Sequence, residues 1–305
     1  NGGSGHAAGD TVTFGNIASD GSTVQLGGAT NITINIVSAS IGDVVYVKNG
    51  VYRETLPLRV PAGVTVQGES LRGTEIRPAT GTGHQVKTVT ITTNTSGASD
   101  GTYNYVHGAS TSSSTGVASS FVANITVSSN IVSSVTIYHG GTGFVVNDTI
   151  TIGAAAIGGG SGDLVLTVAS LENNDASNMF LLNNQTNLVQ MTMKGLTGTP
   201  GAGATSKAAV TSLDPSGSIT TASPYVQNCS SVSANATGIQ IDGLVHSAGN
   251  KSILCNDFTQ INSDGRGVHA LGGGRGEMVS VFTYYCDKSF YCTSGGFIRG
   301  LNCSS

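Results

Sequence analysis

The acidic side chains that could act together lie in one reach of the chain: Asp257, Asp264, Glu277 and Asp287, with Arg266 and Arg275 among them. Two carboxyl groups held about 5–9.5 Å apart can cleave a glycosidic bond, one as acid and the other as base or nucleophile. Asp257 and Glu277 are 20 residues apart. In a chain that coils with roughly that period they would stack on neighbouring turns, ~4.8 Å from each other. The plainer reading gives Asp264-Gly265 to a turn and Asp257 to a corner. Asp257, Asp264 and Glu277 are therefore weak catalytic candidates, and the balance leans against an enzyme. A lyase would need an acidic Ca²⁺ cluster with an Arg or Lys base, and no Asp-x-Asp occurs. His6, His84, His107, His139, His246 and His269 are scattered without metal-ligand spacing. No metal and no cofactor is expected. Gly272-Gly273-Gly274-Arg275-Gly276 lacks the Lys-Ser/Thr ending and the helix that a phosphate loop requires.

Aromatic residues supply the binding candidates. Tyr103, Tyr105 and Tyr138 are candidates for an exposed recognition surface. Tyr284 and Tyr285, in a cluster with Phe290, Tyr291 and Phe297, would either make a sugar-stacking platform or stack between turns of the core. The second reading is preferred.

The elements that must position these residues follow from composition. Of 305 residues, 44 are Gly, none is Trp, and only 10% are charged, against roughly 25% in an ordinary domain. Long amphipathic helices need a charged face and few glycines, so they are excluded. A net charge of -4 offers no overall basic field for nucleic acid. No apolar run approaches the ~18 residues of a membrane-spanning helix. Low net charge with recurrent Val, Ile and Leu argues against disorder. An all-β, loop-rich chain remains. It opens Asn1-Gly2-Gly3 and stops at Asn302-Cys303-Ser304-Ser305, which reads as an internal piece of a longer polypeptide. Cys229, Cys255, Cys286, Cys292 and Cys303 have neither CxxC nor Cys/His metal spacing. They read as small apolar residues in a repetitive core, with a Cys286–Cys292 disulfide as the alternative.

Alternation at Thr11–Phe14 and Asn31–Ile36 predicts strands with one buried face. Short apolar bursts then follow within Gly42–Tyr52, Leu56–Val60, Gly63–Gly68 and Thr74–Arg77, separated by Gly, Pro or Asn corners. Strands this short with corners this frequent suit a coil better than a hairpin meander. The run from Gly42-Asp43-Val44-Val45-Tyr46-Val47 through Gly50-Val51-Tyr52 to Gly63-Val64-Thr65-Val66-Gln67-Gly68 strongly resembles the opening coil of pectate-lyase-like right-handed β-helix proteins. The resemblance implies architecture, not activity, with Val44, Tyr46, Leu58, Val64 and Val66 inward.

Residues 99–170 change character. Longer alternating strands at 121–127, 131–137, 148–152 and 163–168 predict a small antiparallel module inserted in a loop. The coil rhythm resumes at Met179–Leu182, and residues 199–222, small and polar, are expected to form a second loop. Later turns align through Cys229 and Cys255, 26 residues apart, and Phe258 and Phe282, 24 apart, which is solenoid spacing. The expected fold is all-β: a right-handed parallel β-helix (solenoid) with a small inserted antiparallel β module. Its parts are 1–80 (N-terminal strands and first coils), 81–170 (inserted module) and 171–305 (continuation, truncated at its C-terminal end).

Val60–Thr74, Asp257–Gly265, Gly276–Tyr285 and Gly296–Asn302 are together similar to virion structural, tail-fibre-like proteins of tailed phages infecting marine cyanobacteria. The inserted module resembles one met repeatedly in such proteins. That family implies a non-catalytic virion component, extracellular, fibre- or tail-associated, contacting host surface polysaccharide. Its partners would be further copies of itself, as in a homotrimer, and other virion proteins; no nucleic acid and no membrane span enter. The alternatives are a tailspike-like polysaccharide depolymerase and a carbohydrate-binding adhesin.

Overall fold

A computed structural model describes residues 10–15, 31–36, 42–112, 118–198, 207–212, 218–245 and 252–305. The chain divides into two compact units, 81–173 and the remainder. Among the described residues the only helical turns are three short 3₁₀ turns, at Ala154–Ile157, Asn174–Ala176 and Gly243–Val245. No helix among them is long and apolar enough to cross a membrane.

In the larger unit, β1 (Asp10–Gly15) and β2 (Asn31–Ile36) form an antiparallel pair. The short bursts that follow become β3 (Val44–Val47), β4 (Gly50–Glu54), β5 (Leu58–Val60), β6 (Thr65–Gly68) and β7 (Thr74–Pro78).

The smaller unit then intervenes with β8 (Thr82–Thr93), β9 (Gly101–Ser112), β10 (Ser119–Ser128), β11 (Ile131–Thr142), β12 (Thr149–Ile152) and β13 (Leu164–Asn173). These six strands form one antiparallel sheet in the order β11-β10-β9-β12-β13-β8. The sheet curls until its edges approach: the Phe144 N–H, just past β11, donates to the carbonyl of His84 on β8 at 3.1 Å. Strict alternation explains its core, since Phe121, Ala123, Ile125 and Val127 on β10 are all buried. Its first and last strands are partners, with Thr82 opposite Asn173.

The larger unit resumes with β14 (Phe180–Leu182), β15 (Asn187–Val189), β16 (Thr192–Thr197), β17 (Ala208–Ser212), β18 (Tyr225–Ala234) and β19 (Thr237–Asp242). It ends with β20 (Ser252–Ser263), β21 (Arg266–Leu271), β22 (Arg275–Tyr284), β23 (Lys288–Cys292) and β24 (Phe297–Leu301). From β5 onward its strands form two sheets, all pairs parallel. One runs β5-β14-β17-β19-β21-β23; the other runs β3-β6-β15-β18-β20-β22-β24, with β4-β7-β16 alongside and β16 pairing β18.

Like positions therefore stack. Leu58, Phe180, Val210, Ile239 and Val268 form one inner column, and Val66, Leu188, Val226, Cys255 and Met278 another. Both belong to one apolar core. Corners come from residues with left-handed backbone. Gln190, Asn228, Asp257, Ser280 and Asn302 all have positive φ and follow paired strand positions. Asn and Asp tolerate that region better than most residues, which explains part of the chain's Asn content. At the Asp264-Gly265 turn a Cβ on Gly265 would lie 2.1 Å from the carbonyl oxygen of Ala236, so the close approach of neighbouring strands demands glycine there.

The structure corrects several expectations. Val44 and Tyr46 are about half exposed, and Val45 packs on the core instead. Both faces of Val44-Val45-Tyr46-Val47 are apolar, so the pattern could not choose; pairing of Val45 with Val66 does. Cys229 and Cys255 do not share a column: Cys229 is opposite Phe258, and Cys255 opposite Val226. Phe258 pairs with Val281, one residue short of Phe282. The stretch expected as a loop over 199–222 contains β17, whose five residues are all buried. Its parallel partners β14 and β19 hold small residues that carry little strand pattern of their own. All five cysteines are free thiols. Burial pushes the Cys229 thiol up to about 12, so it behaves as an inert apolar group.

Candidate functional site

The register of the second sheet separates the candidate carboxylates. Glu277 lies opposite Leu254, not Asp257. Asp257, three residues further along β20, is thus about 10 Å away along the strand direction. It is exposed at its left-handed corner and accepts a hydrogen bond from Asn256 Nδ2 at 3.0 Å. Asp264 occupies the turn after β20, where its backbone N–H donates to the carbonyl of Tyr285 at 3.1 Å. Asp287 approaches the ammonium of Lys288 at 3.8 Å. The carboxylate pair that hydrolysis requires is not assembled from these residues. Among the described residues no group of His, Cys, Asp and Glu could hold a metal ion.

Glu277 does sit in a groove. A concavity of about 480 Å³ on the outer face of β20, β22 and β24 is lined by Leu254, Arg275, Glu277, Phe297 and Arg299, with Ile219 at its rim. Alternation puts these side chains outward because Cys255, Met278 and Val281 point into the core. Leu254, Glu277 and Arg299 form one column across three strands; Arg275 and Phe297 are paired beside it. Arg299 Nε donates to Glu277 Oε1 at 2.5 Å, and Nη2 contacts the same oxygen. This spends Glu277 on fixing Arg299, as an acceptor rather than a proton donor. Arg275 is exposed and makes no ion pair with the described residues. Phe297, 55% exposed, offers an apolar ring face next to that guanidinium. Such a groove can bind: the ring takes a C–H face and Arg275 an acidic or polar substituent. It holds no second acid for turnover.

The aromatic candidates divide. Tyr105 and Tyr138 meet edge to face, 4.9 Å between ring centroids. Tyr105 is the extra residue of a bulge between β9 and β10, its N–H donating to Asn124 Oδ1 at 2.9 Å. The bulge swings Tyr105 out of step with Tyr103, which packs on the unit's core and donates its hydroxyl to the carbonyl of Ser99. Tyr284 and Tyr285 are exposed at the end of β22, so they are not part of an interior aromatic stack.

Tyr291 does stack, on the His269 ring at 5.0 Å. His269, on β21 and nearly inaccessible, is bonded to Arg266 Nη1 and to Thr293 Oγ1, each at 3.1 Å. Burial, and then the charges of Arg266 and Lys288, depress its pKa to about 4. At neutral pH it is an uncharged ring, so it fixes its neighbours' geometry without adding charge. The spacing of histidines in the sequence gave no sign of this cluster. The groove was equally hidden, because Leu254, Glu277 and Arg299 recur at unequal steps set by the corners between them.

No protein-family model, no curated protein and no solved structure matches this chain.

Proposed function

We propose that the chain is a non-catalytic structural component of a virion, a fibre- or tail-associated right-handed parallel β-helix working outside the cell. The carrying observation is that successive strands alternate between two parallel sheets, each of which adds strands in chain order. An architecture of that kind accumulates stability along one direction and suits a stiff extended element. The similarity of residues 60–74, 257–265 and 276–302 to tail-fibre-like phage proteins supports the virion assignment. Its partners are further copies of the chain, a homotrimer being one arrangement, and other virion proteins. Antibodies raised against the chain should decorate tails or fibres of intact particles in electron micrographs. Labelling confined to the capsid shell, or none, would overturn the assignment.

The groove favours a second reading, a glycan-binding adhesin without turnover. Fragments of host-envelope polysaccharide should bind, and Arg275→Ala or Phe297→Ala should each weaken binding about tenfold in calorimetry, the worth of one charge-assisted or stacking contact. No new reducing ends should form on prolonged incubation. Reducing ends that appear with the wild type and vanish in Glu277→Gln would restore the depolymerase reading.

A further inference from the structure

A column of like charges stands on the outer face of β4, β7 and β16. Arg53 on β4 is directly opposite Arg77 on β7. Ile76 is opposite Met193 on β16, which sets Lys194 beside Arg77. Tyr52, Ile76 and Met193 pack on the core, so alternation turns Arg53, Arg77 and Lys194 to the outside. Three cations thus succeed one another at the strand spacing of ~4.8 Å. One carboxylate serves them: Glu75 accepts from Arg77 Nε and, at 2.5 Å, from Lys194 Nζ. Burial pulls the Glu75 carboxyl upward, but the hydrogen bonds and charges of Lys194 and Arg77 outweigh it and hold the pKa below the usual range. Arg53 is exposed and has no ion pair among the described residues. Like charges placed directly opposite repel, and an otherwise charge-poor chain has stacked three.

We propose that this column binds a linear anionic polysaccharide whose acid groups, on successive sugars, meet successive strands. The strand spacing is close to the length of one sugar in an extended chain, so a regular polyanion can pair with the column without bending. The column's neighbours, Val51, Thr192, Ser230 and Val232, include no aromatic ring for a base to stack on, which disfavours single-stranded nucleic acid. This surface is separate from the groove around Phe297 and does not depend on a virion role.

The test uses the full chain carrying Arg275→Ala and Phe297→Ala, so that the groove is silent. Its binding to a fluorescent heparin decasaccharide and to a polyuronate oligomer is measured by anisotropy across a salt series; which of the two binds tighter distinguishes sulfate from carboxylate. Arg53→Glu, at an exposed unpaired position, should weaken the tighter complex at least tenfold. Arg53→Ala combined with Lys194→Ala should flatten the dependence of log K on log salt by about two charges. Unchanged affinity in Arg53→Glu, equal binding of neutral dextran, or tighter binding of a single-stranded oligodeoxynucleotide would each overturn the proposal.

Discussion

Phe258→Ala should destabilise the larger unit by about 3–5 kcal/mol, the usual cost of emptying a fully buried aromatic site. Phe258 is inaccessible to solvent and stands between Cys229 on β18 and Val281 on β22. Neighbouring strands cannot close over the vacancy, because their ladder hydrogen bonds hold them ~4.8 Å apart. Cooperation between neighbours carries the damage to β18 and β22 first and leaves residues 81–173, with a core of their own, untouched. Urea unfolding followed by hydrogen exchange would read both effects. Tyr285→Ala, at a side chain 79% exposed, should stay within about 0.5 kcal/mol and serves as the control. A loss near 1 kcal/mol for Phe258→Ala would mean that the column is not a continuous core.

Glu54→Gln should raise stability by roughly 2–3 kcal/mol at pH 8 and leave it unchanged below pH 4.5. Burial at the end of β4 lifts the Glu54 carboxyl to about 7, and no ion pair with the described residues offsets it. The folded chain keeps its proton where the unfolded chain has released it. Stability is therefore intact below the unfolded value near 4.5 and falls as pH rises through about 7. Glutamine removes that loss. Thermal unfolding of both proteins from pH 4 to pH 8 checks the difference; parallel curves across the whole range would show that Glu54 is solvated.

Local patterning carries the strand content, and long-range pairing carries the rest. Strict alternation made β10 legible, and Gly and Pro corners marked β5 to β7. Where a strand is apolar on both faces, as at Val44–Val47, or small throughout, as at Ala208–Ser212, only the neighbouring strand decides its orientation or its existence. Stacking offsets failed for a related reason. Connections of different length separate the strands, so Val226 reaches Cys255 after 29 residues and Cys255 reaches Met278 after 23. Equal spacing of cysteines or phenylalanines therefore does not define a column. The same irregular steps hid the Glu277–Arg299 contact and dispersed the carboxylates that linear separation had brought together. Arg77 and Lys194 are 117 residues apart in sequence, and no reading of local charge could have joined them.

The pairing of Thr82 with Asn173 has a consequence for how the molecule assembles. β7 must find β16 across more than a hundred intervening residues, and as a slack loop that detour would oppose the search entropically. Once β8 has zipped to β13, the detour's two ends are neighbours and the effective loop is a few residues long. Residues 81–173 should accordingly acquire exchange protection before 192–197 in a pulse-labelling experiment, and the reverse order would rule this route out. The excursion then acts as a clasp: whatever weakens the β8–β13 seam slows maturation of strands it never touches.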